Sequence, residues 1–136
     1  MPRITIHSDG AARGNPGPAG AGAVLRDESG AVVAEVSEYI GETTNNQAEY
    51  QALIFALGEA KRLGATSVAV FADSELMVRQ LNGDYRVKNE GLKPLYQEAF
   101  KALRAVGEYT IEHLPRERNK EADKLANRAI DQKFDL

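Results

Sequence analysis

The sequence predicts an α/β domain in which a mixed sheet of five strands is covered by helices. Three observations predict it. The first forty residues carry strand-like alternation and turn signals without a helical stretch. From residue 45 onward, helical stretches alternate with two short strands, giving the order β-β-β-α-β-α-α-β-α. The 136-residue length suits one domain with a real core, and neither repeats nor a linker-like break divide it, so residues 1–136 are expected to form one unit. An opening hairpin followed by crossovers makes the sheet part antiparallel and part parallel. Ligands tend to bind at the carboxyl ends of the parallel strands.

Each element has a local justification. In "RITIH", Ile4 and Ile6 face one way, and Thr5, His7 and Asp9 the other. "AGAVLRD" and "AVVAEVSEYIG" are expected to form two strands joined by a turn at "DESG". "NNQAEYQALIFALGEAKRLG" has helical spacing, with Thr44 or Asn45 as N-cap and Gly64 as the stop. "SVAVFAD" is short and strongly apolar, as a central strand is. "SELMVRQL" is a short helix ending near "NGD". "LKPLYQEAFKALRAV" is a long one with Pro94 in its first turn. "YTIEHLP" is the last strand, and "NKEADKLANRAIDQ" the last helix, with Asn119 as a cap.

Composition excludes several function classes. The chain is 43% hydrophobic and 27% charged, with no Cys, which rules out disulfides, thiolate zinc sites and Cys nucleophiles. The start is a strand pattern rather than a signal peptide, and no apolar run approaches a membrane span, so a cytoplasmic protein with no membrane partner is expected. Net charge is -3, but it is unevenly distributed. Residues 1–75 carry 5 basic and 10 acidic side chains, and residues 76–136 carry 12 and 10. Basic residues crowd into "YRVKNEGLK" and "PRERNKEADK". Such runs suit either a solvated surface or a polyanion partner.

Four carboxylates stand where packing alone would not put them. Glu49 heads the otherwise apolar helical stripe Leu53, Ala56, Ala60, Leu63. Asp9 and Asp73 close expected strands, and Asp123 lies in the first turn of the last helix beside Ala122, Leu125, Ala126 and Ala129. Each has a purely structural alternative. Asp9 suits an Asx-turn, Asp73 an N-cap, and Glu49 and Asp123 the positive end of a helix dipole. All four nevertheless fall where such a sheet opens to a ligand. Converging carboxylates need cations between them, and oxygen donors without a Cys or His cluster favour Mg²⁺ or Mn²⁺ over zinc. His7 and His113 lie on expected strands and suit structural roles.

"SDGAARGNPGPAGAG" around Asp9, "TTNNQAEYQAL" around Glu49, "VAVFADSELMVRQL" around Asp73 and "RERNKEADKLAN" around Asp123 together resemble ribonuclease H of type 1, in its short single-domain form. They occur in the family's order and span nearly the whole chain. The resemblance implies an α/β, ribonuclease H-like fold: a five-stranded mixed sheet, order 3-2-1-4-5, with helices on both faces. It implies a metal-dependent endoribonuclease that hydrolyses the RNA strand of RNA–DNA hybrids, leaving 5′-phosphate and 3′-hydroxyl ends. Asp9, Glu49, Asp73 and Asp123 would be the catalytic set holding two Mg²⁺ ions, with Mn²⁺ as a substitute. Asp9 would bridge the ions, Glu49 and Asp73 would flank one, and Asp123 would help hold the other. Two ions can activate a water and stabilise the leaving alkoxide.

The resemblance also implies substrate contacts. Gly14 and Gly17 would let the loop approach the minor groove, while Asn15, Asn46 and Gln47 would meet ribose 2′-hydroxyls and base edges. Thr44 would grip a DNA-strand phosphate. Two departures stand out. "NGDYRVKNEGLKP" is too short for the basic, Trp-containing protrusion of some members. "PRERN" replaces the loop His of others, leaving Arg116 or Arg118 as an electrostatic substitute. A monomer acting on an RNA–DNA hybrid is expected. The rivals are a nuclease of the same fold cutting double-stranded RNA or DNA, and a non-catalytic nucleic-acid-binding module.

Overall fold

Ile4 and Ile6 of the first strand are fully buried, and the computed structural model, which describes residues 2–134, builds its core around them. The elements are β1 (Arg3–Ala12), β2 (Gly17–Arg26), β3 (Val32–Thr43), α1 (Asn45–Arg62), β4 (Ser67–Ala72), α2 (Glu75–Leu81), α3 (Lys93–Val106), β5 (Glu108–His113), a 3₁₀ turn (Arg116–Arg118) and α4 (Lys120–Phe134). The strands form one sheet in the order β3-β2-β1-β4-β5. β1, β2 and β3 pair antiparallel, whereas β4 pairs parallel with β1 and with β5. The mixed five-stranded architecture and its strand order agree with the expectation.

Small residues let helices lie close on both faces. Residues 10 and 22 belong to adjacent register pairs of β1 and β2, so they point to opposite faces. A Cβ on Gly10 would collide with the α1 backbone at Ala48, and one on Gly22 with the α4 backbone at Ala122. α1 and α4 therefore sandwich the centre of the sheet. On the α1 side, Tyr50, Leu53, Leu57 and Ala60 pack with Ile4, Ile6, Val68 and Val70, and with Leu103 of α3. Inside this layer the Tyr50 hydroxyl donates to Gln80 Oε1 at 2.5 Å, a buried polar link between α1 and α2. On the other side α4 covers β1, β2 and β3 through Ala122, Ala126 and Ile130.

The structure corrects several local expectations. The Gly/Ala/Pro segment after Asp9 is mostly strand: β1 runs to Ala12 and β2 begins at Gly17, leaving only a short turn. Asp9 is thus inside β1, opposite Gly22, rather than at the strand's end. Local composition disfavours a Gly/Ala strand, but the ladder between two partners and the close approach of two helices override it. Parallel pairing with β4 does end there, at Ser8 opposite Ala72. The Asx-turn that was the structural alternative for Asp9 is consequently absent. The loop acid that does form such a turn is Asp27, whose Oδ1 accepts from the N–H groups of Ser29 and Ala31.

Helix caps are also redistributed. Thr44 caps α1 in a capping box with Gln47, so Asn45 does not cap it. Ser74, not Asp73, caps α2 by accepting from Met77 N at 3.2 Å. Asn119 is buried, and its side chain donates to Ser8 O at 2.9 Å instead of capping α4. The 3₁₀ turn before α4 had no sequence signal. Pro94 does occupy the first turn of α3, and Gly64 follows α1 with φ 83°.

Candidate active site

Asp9 is on β1, Glu49 is on the second turn of α1, Asp73 immediately follows β4, and Asp123 is on the first turn of α4. The end of the parallel β1–β4 pairing puts Asp9 and Asp73 side by side. Close packing of α1 over Gly10 lets Glu49 reach across the strand, where its Oε1 accepts from Gly10 N. One carboxylate oxygen from each of Asp9, Glu49 and Asp73 lies within 4.8 Å of the others. Asp123 is outside that trio but lines the same cleft, which has a volume of about 520 Å³. Asn127, one turn along α4, donates to the carbonyl and Oδ1 of Asp123 at 3.0 and 3.3 Å.

The electrostatics of this cluster are adverse. Asp9 and Glu49 are only 6% and 7% exposed, and neither has an ion-pair partner among the described residues. Burial, followed by the charge of Glu49 and contributions from Asp73 and Asp123, drives the Asp9 carboxyl far above the usual range. Burial first, with Asp73 adding to it, also raises Glu49, opposed by hydrogen bonds from Asp9 and Gly10 N. Two cations line the cleft, Arg13 and Arg116, and the Nη2 of Arg116 is 3.8 Å from Asp123 Oδ1 on a largely exposed side chain. A set of buried oxygen donors with unrelieved repulsion fits hard divalent ions, which would supply the missing positive charge.

The cleft also contains Asn46 and Arg116 from the residues singled out in the sequence. Gly14, Asn15, Thr44, Gln47 and Arg118 do not line it. Asn15 is in the β1–β2 turn, where its Oδ1 accepts from Asn45 N at 3.0 Å; Asn45 in turn accepts from Ala12 N at 3.0 Å. These bonds tie the turn to the start of α1. Thr44 and Gln47 form the capping box, and Gln47 Nε2 also donates to Gly91 O at 3.4 Å. Arg118 points to separate grooves beside His7, because the 3₁₀ turn sends Arg116 and Arg118 to different sides. His7 stacks on Phe71 at 5.2 Å between ring centres, and burial lowers its pKa.

Sequence reasoning missed Arg13, Asn45, Ser74 and Asn127 in the cleft walls. Asn127 had a usable signal, since it stands four residues after Asp123 on one helix face. Arg13 had none, because its ion pair with Asp131 at 2.7 Å joins residues far apart in the chain.

Comparison with known proteins agrees with this picture. A family model described as "Reverse transcriptase-like" matches residues 7–129. The "Bifunctional protein Rv2228c" of Mycobacterium tuberculosis is 45% identical over 95% of this chain and 36% of its own length. The chain thus spans about a third of that relative. A "Ribonuclease H" of Chromohalobacter salexigens is 36% identical over 97% of this chain and 87% of its own. Among solved structures, LC11-RNase H1 from compost, crystallised with an RNA/DNA hybrid, is 47% identical with a TM-score of 0.91, covering 96% of this chain and 99% of that one. The matched residues, the strand order and the extent of the alignment lead to one assignment: the chain belongs to the ribonuclease H family of type 1.

Proposed function

We propose that this protein is a metal-dependent endoribonuclease that hydrolyses the RNA strand of RNA–DNA hybrids and leaves 5′-phosphate and 3′-hydroxyl ends. The observation that carries the reading is the meeting of Asp9, Glu49 and Asp73 within 4.8 Å, with Asp9 and Glu49 buried and none of the three in an ion pair among the described residues. Asp9, Glu49, Asp73 and Asp123 would hold two divalent ions, Mg²⁺ or Mn²⁺. When bound, such ions activate a water and stabilise the leaving oxygen of an in-line displacement. The bound ions would supply the charge that keeps the buried carboxylates ionised, and the chain's own task is to hold the four side chains in place. Gly10 N holds Glu49, and Asn127 Nδ2 holds Asp123. No Cys exists to act as a nucleophile, and His7 is on the sheet beside Phe71, outside the cleft.

Substrate choice is assigned to the cleft rim. Asn46 is exposed there and presents an amide to a ribose 2′-hydroxyl. Asn15 uses its Oδ1 on the protein backbone, leaving its amide N–H groups for the substrate; Gly14 and Gly17 keep the turn thin. Gln47 and Thr44 act beside it through the α1 cap, and Arg116 and Arg118 contribute positive charge. Residues 1–136 act as one catalytic domain, as a monomer in the cytoplasm. No described helix is long and apolar enough to cross a membrane.

The test is incubation of labelled RNA–DNA, RNA–RNA and DNA–DNA duplexes with and without Mg²⁺. Cutting of the RNA strand in the hybrid alone, dependent on the ion, is the expected result. Equal cutting of a fully deoxy duplex would replace this reading by that of a DNA nuclease. Binding without cutting in every condition would replace it by that of a binding module.

A further inference from the structure

Every carboxylate of α4 is already engaged, and three of its cations are not. Glu121 pairs with Arg26 at 2.8 Å, Asp131 pairs with Arg13 at 2.7 Å, and Asp123 belongs to the cleft with Arg116 at 3.8 Å. Lys133 sits over the Tyr39 ring at 5.6 Å. Lys120, Lys124 and Arg128 are exposed and have no carboxylate within ion-pair distance among the described residues.

The helix lines these three up. They recur every four residues, so each is about 6 Å further along the axis and turned by about 40° from the last. The resulting stripe is centred opposite the buried residues Ala122, Leu125, Ala126 and Ala129. It therefore faces outward, and Asp123 and Asn127 of the cleft flank it on the same helix. The net charge of the whole chain is -3, so three unpaired cations in a row are a local feature against the background. A linear row of point charges suits a linear polyanion better than a compact ligand.

We propose that the outer face of α4, through Lys120, Lys124 and Arg128, is a second nucleic-acid contact, which carries a single strand extending beyond the duplex held in the cleft. The ligand is a sugar–phosphate backbone of either strand type, bound without regard to sequence. Its continuity with the cleft wall means that one substrate molecule can touch both. This rests on the proposed nuclease reading only for the arrival of a duplex at the cleft.

The test is equilibrium binding by fluorescence anisotropy, in chelator so that nothing is cut. The probes are a blunt RNA–DNA hybrid, the same hybrid with a tail of about ten nucleotides on each end in turn, the isolated single strand, and phosphatidylserine vesicles. The variant is Lys120→Gln/Lys124→Gln/Arg128→Gln. A control, Lys61→Gln/Lys101→Gln/Arg104→Gln, removes the same charge from α1 and α3 on the opposite face. Unchanged thermal melts establish that both fold.

The expected result is a loss on the order of tenfold for the best-bound tailed hybrid and for the single strand, with less than about threefold for the blunt hybrid. The slope of log affinity against log salt for the single strand should fall by about 2. The control should not change the tailed-to-blunt ratio. Equal losses on tailed and blunt hybrids, or no loss, overturn the proposal. So does vesicle binding that needs the three cations while the tail has no effect. Cation-dependent single-strand binding by a protein that ignores the blunt hybrid would sink the nuclease reading and leave the stripe standing.

Discussion

Asp73 tests the chemistry at the level of one residue. Asp73→Asn keeps the shape of the side chain and removes its charge, while the α2 cap stays intact because Ser74 supplies it. Electrostatic groups at a reacting centre are worth about 10²–10³ in kcat, so hybrid cleavage should fall by at least that much. Hybrid affinity should hardly move, since backbone contacts dominate it. Single-turnover cleavage beside a binding titration checks both, and near-normal turnover would remove Asp73 from the site. Asp9 makes the opposite case. Its folded pKa lies above the unfolded value near 4. A raised pKa contributes stability that is complete below the unfolded value and is lost as pH rises toward the folded one. In chelator, the wild-type protein should therefore lose stability from about pH 4 upward relative to Asp9→Asn. At neutral pH the variant should melt several degrees higher, the effect of roughly 1–3 kcal/mol in a chain of this size. Melts of both proteins across pH in chelator decide it, and coincident curves would show that Asp9 is not under repulsion.

At the level of elements, the site depends on how closely two helices approach the sheet. Gly22→Ala places a methyl group against the α4 backbone at Ala122, one residue from Asp123. Overpacking of this kind costs about 1–3 kcal/mol. It should also displace Asp123, so that activity falls further than the unfolded fraction explains. Gly30→Ala is a useful contrast. A Cβ there meets nothing within 4 Å, but its φ of 90° is strained for alanine, so stability should fall while kcat is kept. Urea midpoints and kcat for both variants make the comparison; a Gly22→Ala enzyme with full activity and unchanged midpoint would show that α4 has room to move. The α1 start is a further case. Thr44→Ala removes the side-chain half of the capping box, at about 1 kcal/mol, and frees Gln47 from Thr44 Oγ1.

For the whole molecule, metal binding and folding are linked. Ions that bind only the native protein stabilise it by mass action, by about 2.7 kcal/mol at a hundred times Kd. A Mg²⁺ series should raise the wild-type melting temperature, and should raise that of Asp9→Asn less. A wild-type melt indifferent to Mg²⁺ would imply that the four carboxylates hold no ion. The lopsided charge has a consequence at the same scale. The 12 cations of residues 76–136 are spread over α2, α3, α4 and their connections, so affinity for hybrids should be modest and salt-sensitive.

The α/β class and the number and order of strands and helices were legible in the sequence, as were the four carboxylates that now line one cleft. Periodicity marks the elements locally, and an acid on the apolar stripe of α1 is a conflict visible without coordinates. The resemblance added the strand order. That "GAARGNPGPAG" is mainly paired strand follows from tertiary contacts, since a Gly/Ala ladder draws its stability from partners that local propensity does not see. The same holds for the caps. Asp73 and Ser74 are both good N-caps by type, and the geometry at the end of β4 gave the role to Ser74 and turned Asp73 toward Asp9. Asn119 looked like a cap and became a buried link to Ser8, because the 3₁₀ turn before it rotates its side chain inward. Arg116 and Arg118 were equivalent as letters, and that turn sent only Arg116 to the cleft. Residue type states what a side chain can do, whereas the direction it faces depends on contacts between segments distant in sequence.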